Sequence, residues 1–488
     1  MFDKLFELAK RRGIFFASSE IYGSIAGFFD YGPIGKRIKN KLENLWREFF
    51  LNLDENFHEI ETSLIMPEKV FIASQHVTNF VDPMVKCKRC GTFHRADHIA
   101  EEYLKRSFEG MTAEELQKII KEYNLKCPKC KGELGEVKVL NLMFPLTIGA
   151  EEDIKAFLRP ETAQGAYVNF LRMFNVTRNK LPLGLAIIGK AFRNEISPRQ
   201  LLIRQREFTQ AELQIFFNPK KLNEHERWDE VKDYKLKVLL KDEKKVKRMS
   251  CEELSKTHPK FYIYYLAKVQ QFFLEVLKFD EKYFRLRELK DEEKAFYNKI
   301  HFDVEIYFPS LESFKEVAGV HYRTDHDLKG HQKVSKKRME IFYENERFIP
   351  HVLEISFGID RVFLALFDLN YRANKRGWEW LALPSKLAPF IAYVFPLLSK
   401  DGLPEKALEI YKNLKKKFEV SYDEVGSIGK RYARADEIGV PVCITVDYQT
   451  LEDGTVTLRS RNTTKQIRVK IEEVEEWLNK IKEEDLKF

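Results

Sequence analysis

From Leu183 to Phe217 the chain reads as strand, loop and strand, and the polar residues on that hairpin constrain the fold more than any other stretch. Phe192 is followed by Arg193-Asn194-Glu195, and after a loop Arg204, Phe208 and Glu212 recur at a four-residue spacing. Strand residues of one parity project to one face, so a guanidinium, an aromatic ring and a carboxylate share one space. The ring can stack on a purine, forked guanidinium donors can neutralise phosphates, and Glu212 can hold a cation. The plainer reading of the same pattern is an amphipathic hairpin with a charged outer face.

A chain of 488 residues, 44% of them hydrophobic, can bury large cores and exceeds one ordinary domain, so two or three are expected. No apolar run approaches a membrane span, and Met1 to Arg12 alternates charge with Phe and Leu instead of forming a signal-peptide core. These features point to a globular protein of the cytoplasm with no membrane partner. A net charge of +8 suits a polyanion without identifying one.

Four of the six cysteines form two knuckles, Cys87-x2-Cys90 and Cys127-x2-Cys130, separated by 36 residues. Each short loop can place two thiolates on one edge of a tetrahedral Zn2+, and four sulfur ligands leave no open position, which makes the metal structural. Reduced, unliganded thiols or a redox pair are the competing readings.

Helical spacing of Ile38, Leu42, Leu45, Trp46 and Phe49 marks a helix over Pro33 to Leu53, and Phe57 to Met66 reads as a strand stopped by Pro67. The cysteine-bearing stretch looks inserted, and the lysine-rich stretch 220–289 reads as a largely helical insertion with a solvated surface. Its Lys244-Lys245-Val-Lys247-Arg248 cluster is also suited to nucleic acid. Strands resume at His301 to Phe308 and Val317 to Tyr322. Pro350 to Phe357 then runs through Gly358-Ile-Asp360-Arg361 into a helix, a junction whose backbone donors suit anions. After Leu383-Pro384 a compact alternation of strands and helices forms a small α/β domain. Gly426-Ser-Ile-Gly429-Lys430-Arg431 fails as a phosphate loop because its glycines are too close and Arg431 replaces the magnesium-binding hydroxyl.

A helix and strand ending in proline, an Arg-x-Glu hairpin, and Gly-Ile-Asp-Arg at a strand-helix junction occur in the order of motifs 1, 2 and 3 of the class II aminoacyl-tRNA synthetases, which the chain resembles. Within subclass IIa it is similar to the homodimeric glycyl-tRNA synthetases over nearly its whole length. The matching phrases are Gly27-Phe-Phe-Asp30-Tyr-Gly32-Pro33, Arg95-Ala-Asp97, Arg159-Pro-Glu161-Thr-Ala-Gln164-Gly165, Phe192-Arg-Asn-Glu195-Ile-Ser-Pro-Arg199, Arg206-Glu-Phe208-Thr-Gln-Ala-Glu212 and Asp436-Glu-Ile-Gly439-Val-Pro441.

The resemblance implies an α+β fold: an antiparallel sheet flanked by helices, with zinc-bearing and helical insertions and a C-terminal α/β anticodon-binding domain. The expected divisions are 1–80 with motif 1, 81–138 as zinc ribbon, 139–219 with motif 2, 220–289 as helical insertion, 290–384 with motif 3, and 385–488 for the anticodon. It also implies activation of glycine by ATP with Mg2+, followed by transfer to tRNA(Gly), in a homodimer. The dimer contact is expected at Trp46, Phe49 and neighbouring apolar groups of the motif 1 helix.

By the same resemblance, Arg193, Glu195 and Arg361 are catalytic: Arg193 bridges substrate carboxylate and α-phosphate, Glu195 lies near the adenine, and Arg361 covers the face of the adenine opposite Phe208. Arg204 reaches the terminal phosphates, Asn194, Ile203, Val317 and Gly358 complete the ATP site, and Glu316 with the Glu354 region contacts magnesium. Glycine is held by Arg95, Glu161, Phe208, Gln210, Glu212, Glu354 and Ser356, because a substrate without a side chain must be gripped by its ammonium. Arg431, Arg434, Arg459 and Arg461 are expected to meet anticodon bases by charge and stacking. Two departures from the family pattern, Glu354-Ile355-Ser356 and Ser74-Gln75-His76, keep the polar residues. Another subclass IIa synthetase, for threonine, proline or histidine, fits the cysteines and Glu161 less well. A non-catalytic nucleic-acid-binding paralogue would be expected to have lost Arg193, Arg204 and Arg361.

Overall fold

The computed structural model describes residues 2–106, 108, 111–150, 154–196, 198–295, 297–373 and 377–484. Its central sheet has nine strands: β1 Phe57–Glu59, β2 Leu183–Phe192, β3 Glu207–Phe217, β4 Lys235–Leu239, β5 Lys247–Ser250, β6 Phe284–Glu288, β7 Ile300–Phe308, β8 Ser313–Thr324 and β9 His351–Gly358. They lie in the order β5-β4-β6-β7-β8-β9-β3-β2-β1. Only the β4/β6 and β1/β2 pairs are parallel.

The alternation along β3 sets the two faces of the sheet. Ala211, Leu213 and Ile215 enter the large core, whereas Phe208, Gln210, Glu212 and Gln214 face the other way. The core is closed by helix α1, Pro33–Phe50, whose Ile38, Leu42, Trp46 and Phe50 are all buried at helical spacing. Pro33 supplies a preset φ at the first helical position. Gly32 before it is required by space, since a Cβ there would lie 2.3 Å from the Gly13 carbonyl oxygen. Helix α2, Ala163–Val176, packs on the opposite face, where Phe170 stacks on Phe216 at 4.4 Å.

Three sequence expectations change here. Trp46 does not face a partner: it is fully buried, 5.1 Å from Phe50 and 6.3 Å from Phe357, because the motif 1 helix turns that edge toward the sheet. The segment 220–289 is not simply a helical insertion. It supplies β4, β5 and β6 to the sheet beside the helix Lys260–Gln271, and the lysines that masked these strands alternate outward from Leu236 and Val238. The strand expected over Phe57 to Met66 is broken: Phe57–Glu59 pairs with β2, and Ile65–Pro67 joins a separate three-stranded sheet.

The cysteine-bearing segment has its own antiparallel sheet, made of Val81–Cys87, Phe93–Arg95 and Leu134–Asn141, and its own apolar cluster. Beyond Leu383, strands Val420–Tyr422, Ala392–Pro396, Val442–Val446, Thr455–Ser460 and Gln466–Lys470 form a mixed sheet in that order around a second core. Arg11, the last residue of the helix Phe2–Arg11, and Arg12 after it pair with Glu437 across the junction between the two bodies.

Candidate active site

Antiparallel pairing of β3 with β9 sets Glu212 opposite Ser356, Gln214 opposite Glu354 and Gln210 opposite Gly358. Pairing of β8 with β9 adds His321 beside Glu354. Side chains of these registers open on a cavity of ≈ 230 Å³ that also receives Arg193, Glu195, Arg204, Phe208, Glu316 and Arg361.

At one end of the cavity three buried carboxylates converge. Glu212 accepts from the Thr162 hydroxyl at 2.6 Å and the Ser356 hydroxyl at 2.8 Å. Glu354 accepts from Gln214 at 2.7 Å and from Arg323 at 2.9 Å. Glu161 accepts from Gln164 at 2.8 Å and lies 3.4 Å from His76 Nε2 and 3.5 Å from Arg323. Burial raises the Glu354 pKa to about 8; Arg323 opposes this and the neighbouring Glu212 and Glu161 reinforce it. Burial, then the charge of Glu161, likewise raises Glu212. Glu161 goes the other way: burial pushes it up, but His76 and Arg323 outweigh that and hold it well below the usual range. Among the described residues the side-chain amide oxygen of Gln210 is buried without a partner, so this end has acceptors in excess and suits a cation with several N–H donors.

Toward the other end the guanidinium of Arg193 lies 5.3 Å from both the Phe80 and Phe208 rings, and its Nε donates to the Pro160 carbonyl at 3.1 Å. Glu195 accepts from Arg204 at 2.7 Å. Arg361, from the first turn of the helix Ile359–Asn370, donates to the Ile203 carbonyl at 3.0 Å and to Glu316 Oε2 at 2.8 Å. A Cβ on Gly358 would approach Arg361 Cδ and the Val317 carbonyl at 3.3–3.4 Å, so glycine there keeps the floor open. Asn194 engages this region through its backbone N–H, which donates to the Leu142 carbonyl at 2.6 Å. Aromatic faces beside three arginines can hold a purine and its phosphates.

Not every expected residue converges here. Arg95 lies outside the cavity: it pairs with Asp82 at 2.9 Å and Asp97 at 2.5 Å and lines a neighbouring cleft with Arg199 and Arg204. The four cysteines do converge, with all Sγ atoms within 4.8 Å of one another and Cys87–Cys130 and Cys90–Cys127 separations of 3.5 and 3.8 Å. Zn–S bonds of about 2.3 Å span tetrahedral edges of about 3.8 Å, so this donor set fits zinc.

The arginines of the C-terminal body need correction. Arg459 is buried in a two-point pair with Asp436, both bonds 3.0 Å. Arg461 donates to the carbonyls of Gly439 and Leu383, and Arg431 to those of Pro396 and Gly426, and both are buried. Such donors, committed inside the fold, do not present a surface to RNA. Arg434 is partly exposed and pairs with Asp423 at 2.6 Å.

Sequence reasoning missed Arg323, which is 1% exposed and bridges Glu354, Asp327 and Glu161 beneath the Tyr297 ring at 4.0 Å. An arginine closing the apolar run Val317 to Tyr322 was its only local signal. It also missed Thr162 and His76, which reach the carboxylates from separate segments.

A family model described as tRNA synthetase class II core domain (G, H, P, S and T) matches residues 146–370, and one described as anticodon binding domain matches 392–481. Among curated relatives, the glycine–tRNA ligase of Pyrococcus furiosus is 43% identical, the match covering 97% of this chain and 98% of the relative. Those of Thermococcus kodakarensis and Methanocaldococcus jannaschii are 40% and 39% identical, each match covering 98% of both chains.

Proposed function

The chain belongs to the glycine–tRNA ligase family of class II synthetases, and on that premise we propose the part each residue plays in joining glycine to tRNA(Gly). Activation is an in-line attack by the glycine carboxylate on the α-phosphorus of ATP, which gives glycyl-adenylate and pyrophosphate. The carboxylate is already ionised at neutral pH, so no protein base is needed, and the protein contributes positioning and charge stabilisation.

Glu161, Glu212 and Glu354 with Ser356 and Gln210 receive the substrate ammonium. The observation that carries this reading is the convergence of three buried carboxylates and an unpartnered amide oxygen at one end of the cavity. Arg193 spans the glycine carboxylate and the α-phosphate, Glu195 and the backbone around Asn194 and Ile203 border the adenine, and Phe208 and Arg361 cover its two faces. Arg204 meets the terminal phosphates. ATP enters as its Mg2+ complex, which Glu316 and the region around Glu354 would contact. Arg204 and Arg361 are paired with Glu195 and Glu316 in the free protein, so nucleotide entry exchanges carboxylate partners for phosphate and base.

Cys87, Cys90, Cys127 and Cys130 hold structural Zn2+ in this reading. Arg434 is the one expected anticodon arginine kept as an RNA contact. The chain acts as a cytoplasmic homodimer; no described helix is long and apolar enough to cross a membrane. Leu64, Ile65, Ile72 and Val168, each 40–46% exposed, support a partner surface there in place of Trp46.

The test is ATP–pyrophosphate exchange with each of the twenty amino acids, followed by charging of tRNA(Gly). Glycine alone should drive exchange well above background. Exchange driven by another amino acid, or none at all, overturns the assignment of the carboxylate cluster.

A further inference from the structure

Ile21 and Tyr22 are the most exposed large hydrophobic side chains among the described residues, each 87% accessible, and Ile25 beside them is 66% accessible. They do not hang from a loose strand. Glu20–Tyr22 is a turn of 3-10 helix closed by the Tyr22, Gly23 and Ser24 N–H groups, which donate to Ser19 and Glu20 carbonyls at 2.9–3.3 Å. Positive φ angles at Ser19, Gly23, Ser24 and Gly27 fix its sharp path, and a Lys10–Glu20 pair at 2.8 Å braces its side. The fold therefore holds an aromatic ring and two isoleucines in water on a defined scaffold.

The base of this turn is fastened to the hairpin that builds the active site. Arg206 donates through its backbone N–H to the Gly27 carbonyl at 2.8 Å and through its guanidinium to the carbonyls of Ala26 at 2.9 Å and Glu195 at 2.8 Å. Gly27 lies so close to Pro198 that a Cβ would meet the proline ring at 2.8 Å. Arg204 and Gln205, the residues before Arg206, line the cavity. The base of the apolar turn is thus bonded to Arg206, the residue that follows two cavity-lining residues, and the Arg206 donors go to carbonyls, so its charge remains available there.

We infer that the Ser18–Ala26 turn is the platform on which the single-stranded 3′ end of the tRNA stacks as its terminal hydroxyl enters the cavity. This deepens the function proposed above and rests on it. The occupant follows from the second step: the terminal adenosine must leave its helical stack to reach glycyl-adenylate, and unstacked bases lose contacts that an aromatic and two apolar side chains restore. The adjoining Arg206 supplies countercharge to the backbone. A second copy of the chain is the other occupant such a patch could take.

The experiment uses the full chain with Ile21→Ser and Tyr22→Ala together, and separately with Tyr22→Trp. Three quantities are read: glycine-dependent pyrophosphate exchange, transfer of glycine to tRNA(Gly) and to a minihelix carrying only the acceptor stem and its 3′ end, and solution mass. The double variant should keep exchange within about twofold and lose about tenfold or more in kcat/KM for both RNAs, the scale of one lost base stack. Tyr22→Trp should retain charging, because any flat ring serves. Unchanged charging overturns the inference, as does an equal fall in exchange, which would make the turn a brace for the hairpin. A halved solution mass assigns the patch to a second copy instead. Absence of exchange in the unaltered chain is the failure of the parent reading and is recognised separately.

Discussion

The Lys39 ammonium lies 2.7 Å from Asp360 Oδ1, inside the core, and an equal 2.7 Å from the Thr209 hydroxyl. Asp360 also accepts from the Tyr31 hydroxyl and the Thr209 N–H, both at 2.5 Å. One buried ion pair thereby fastens the motif 1 helix, the hairpin strand that carries Phe208 and Glu212, and the helix that carries Arg361. Burial lowers the Lys39 pKa, with Asp360 opposing; at Asp360 burial pushes the pKa up, but the charges of Lys39 and Lys190 and the hydrogen bonds from Lys39 and Tyr31 together outweigh it and lower it.

Lys39→Met should cost about 3–5 kcal/mol of stability, because it leaves Asp360 as an unpaired charge in the core. Adding Asp360→Asn should recover part of that loss, a coupling that a double-mutant cycle by chemical denaturation reads directly. A Lys39→Met protein that unfolds at the wild-type midpoint would show that the pair holds nothing together.

Glycine binding should depend on pH through Glu354. With its pKa raised to about 8 by burial, this carboxyl is largely protonated at neutral pH in the free protein and must ionise to meet an ammonium. The KM for glycine should therefore rise as pH falls from 8 to 6, with up to one proton released per glycine bound, and Glu354→Gln should flatten the profile. Steady-state kinetics in buffers of different ionisation enthalpy, paired with calorimetry, measure both; a KM independent of pH in the wild type removes Glu354 from the ammonium site.

Arg193→Lys keeps a charge but loses the planar fork that can serve a carboxylate and a phosphate oxygen together. Turnover in pyrophosphate exchange should fall about a hundredfold, the scale of losing an oxyanion donor, with a smaller change in the KM for ATP. Wild-type turnover would remove Arg193 from the reacting atoms.

Arg459→Ala should destabilise the C-terminal body by about 3–5 kcal/mol, since it removes the buried cation paired with the Asp436 carboxylate. Arg434→Ala should instead weaken charging with little change in the melting curve. If Arg459→Ala melts normally and impairs only tRNA charging, the arginine reaches RNA after all and its burial misleads.

Metal analysis of zinc-replete protein should return one zinc per chain, and Cys127→Ser should abolish it and open the cysteine-bearing segment to proteolysis. Pyrophosphate exchange in that variant should fall by less than in Arg193→Lys, because the four thiolates leave no position for a substrate. A protein that is zinc-free and yet protease-resistant contradicts a structural metal.

Much of this protein was legible in its sequence because its chemistry is written at short range. Strand alternation alone puts Phe208 and Glu212 on one face, each Cys-x2-Cys loop fixes two ligands locally, and Gly358 through Arg361 marks a strand-helix junction by composition. The short edge strands Val420–Tyr422 and Gln466–Lys470, and the lysine-bearing β4 and β5, carried too little apolar pattern to be read. Burial was the larger gap. An arginine's side chain looks the same in sequence whether it faces water or a carboxylate from a distant segment, so Arg459, Arg461 and Arg431 read as an RNA surface and Arg323 was passed over. Only the tertiary structure pairs Arg459 with Asp436, or sets Arg323 between Glu161, Asp327 and Glu354. The sequence determines which groups can ionise and which face of their own element they take; the charge a group keeps depends on desolvation and on partners far along the chain, and those exist only once the chain has closed around them.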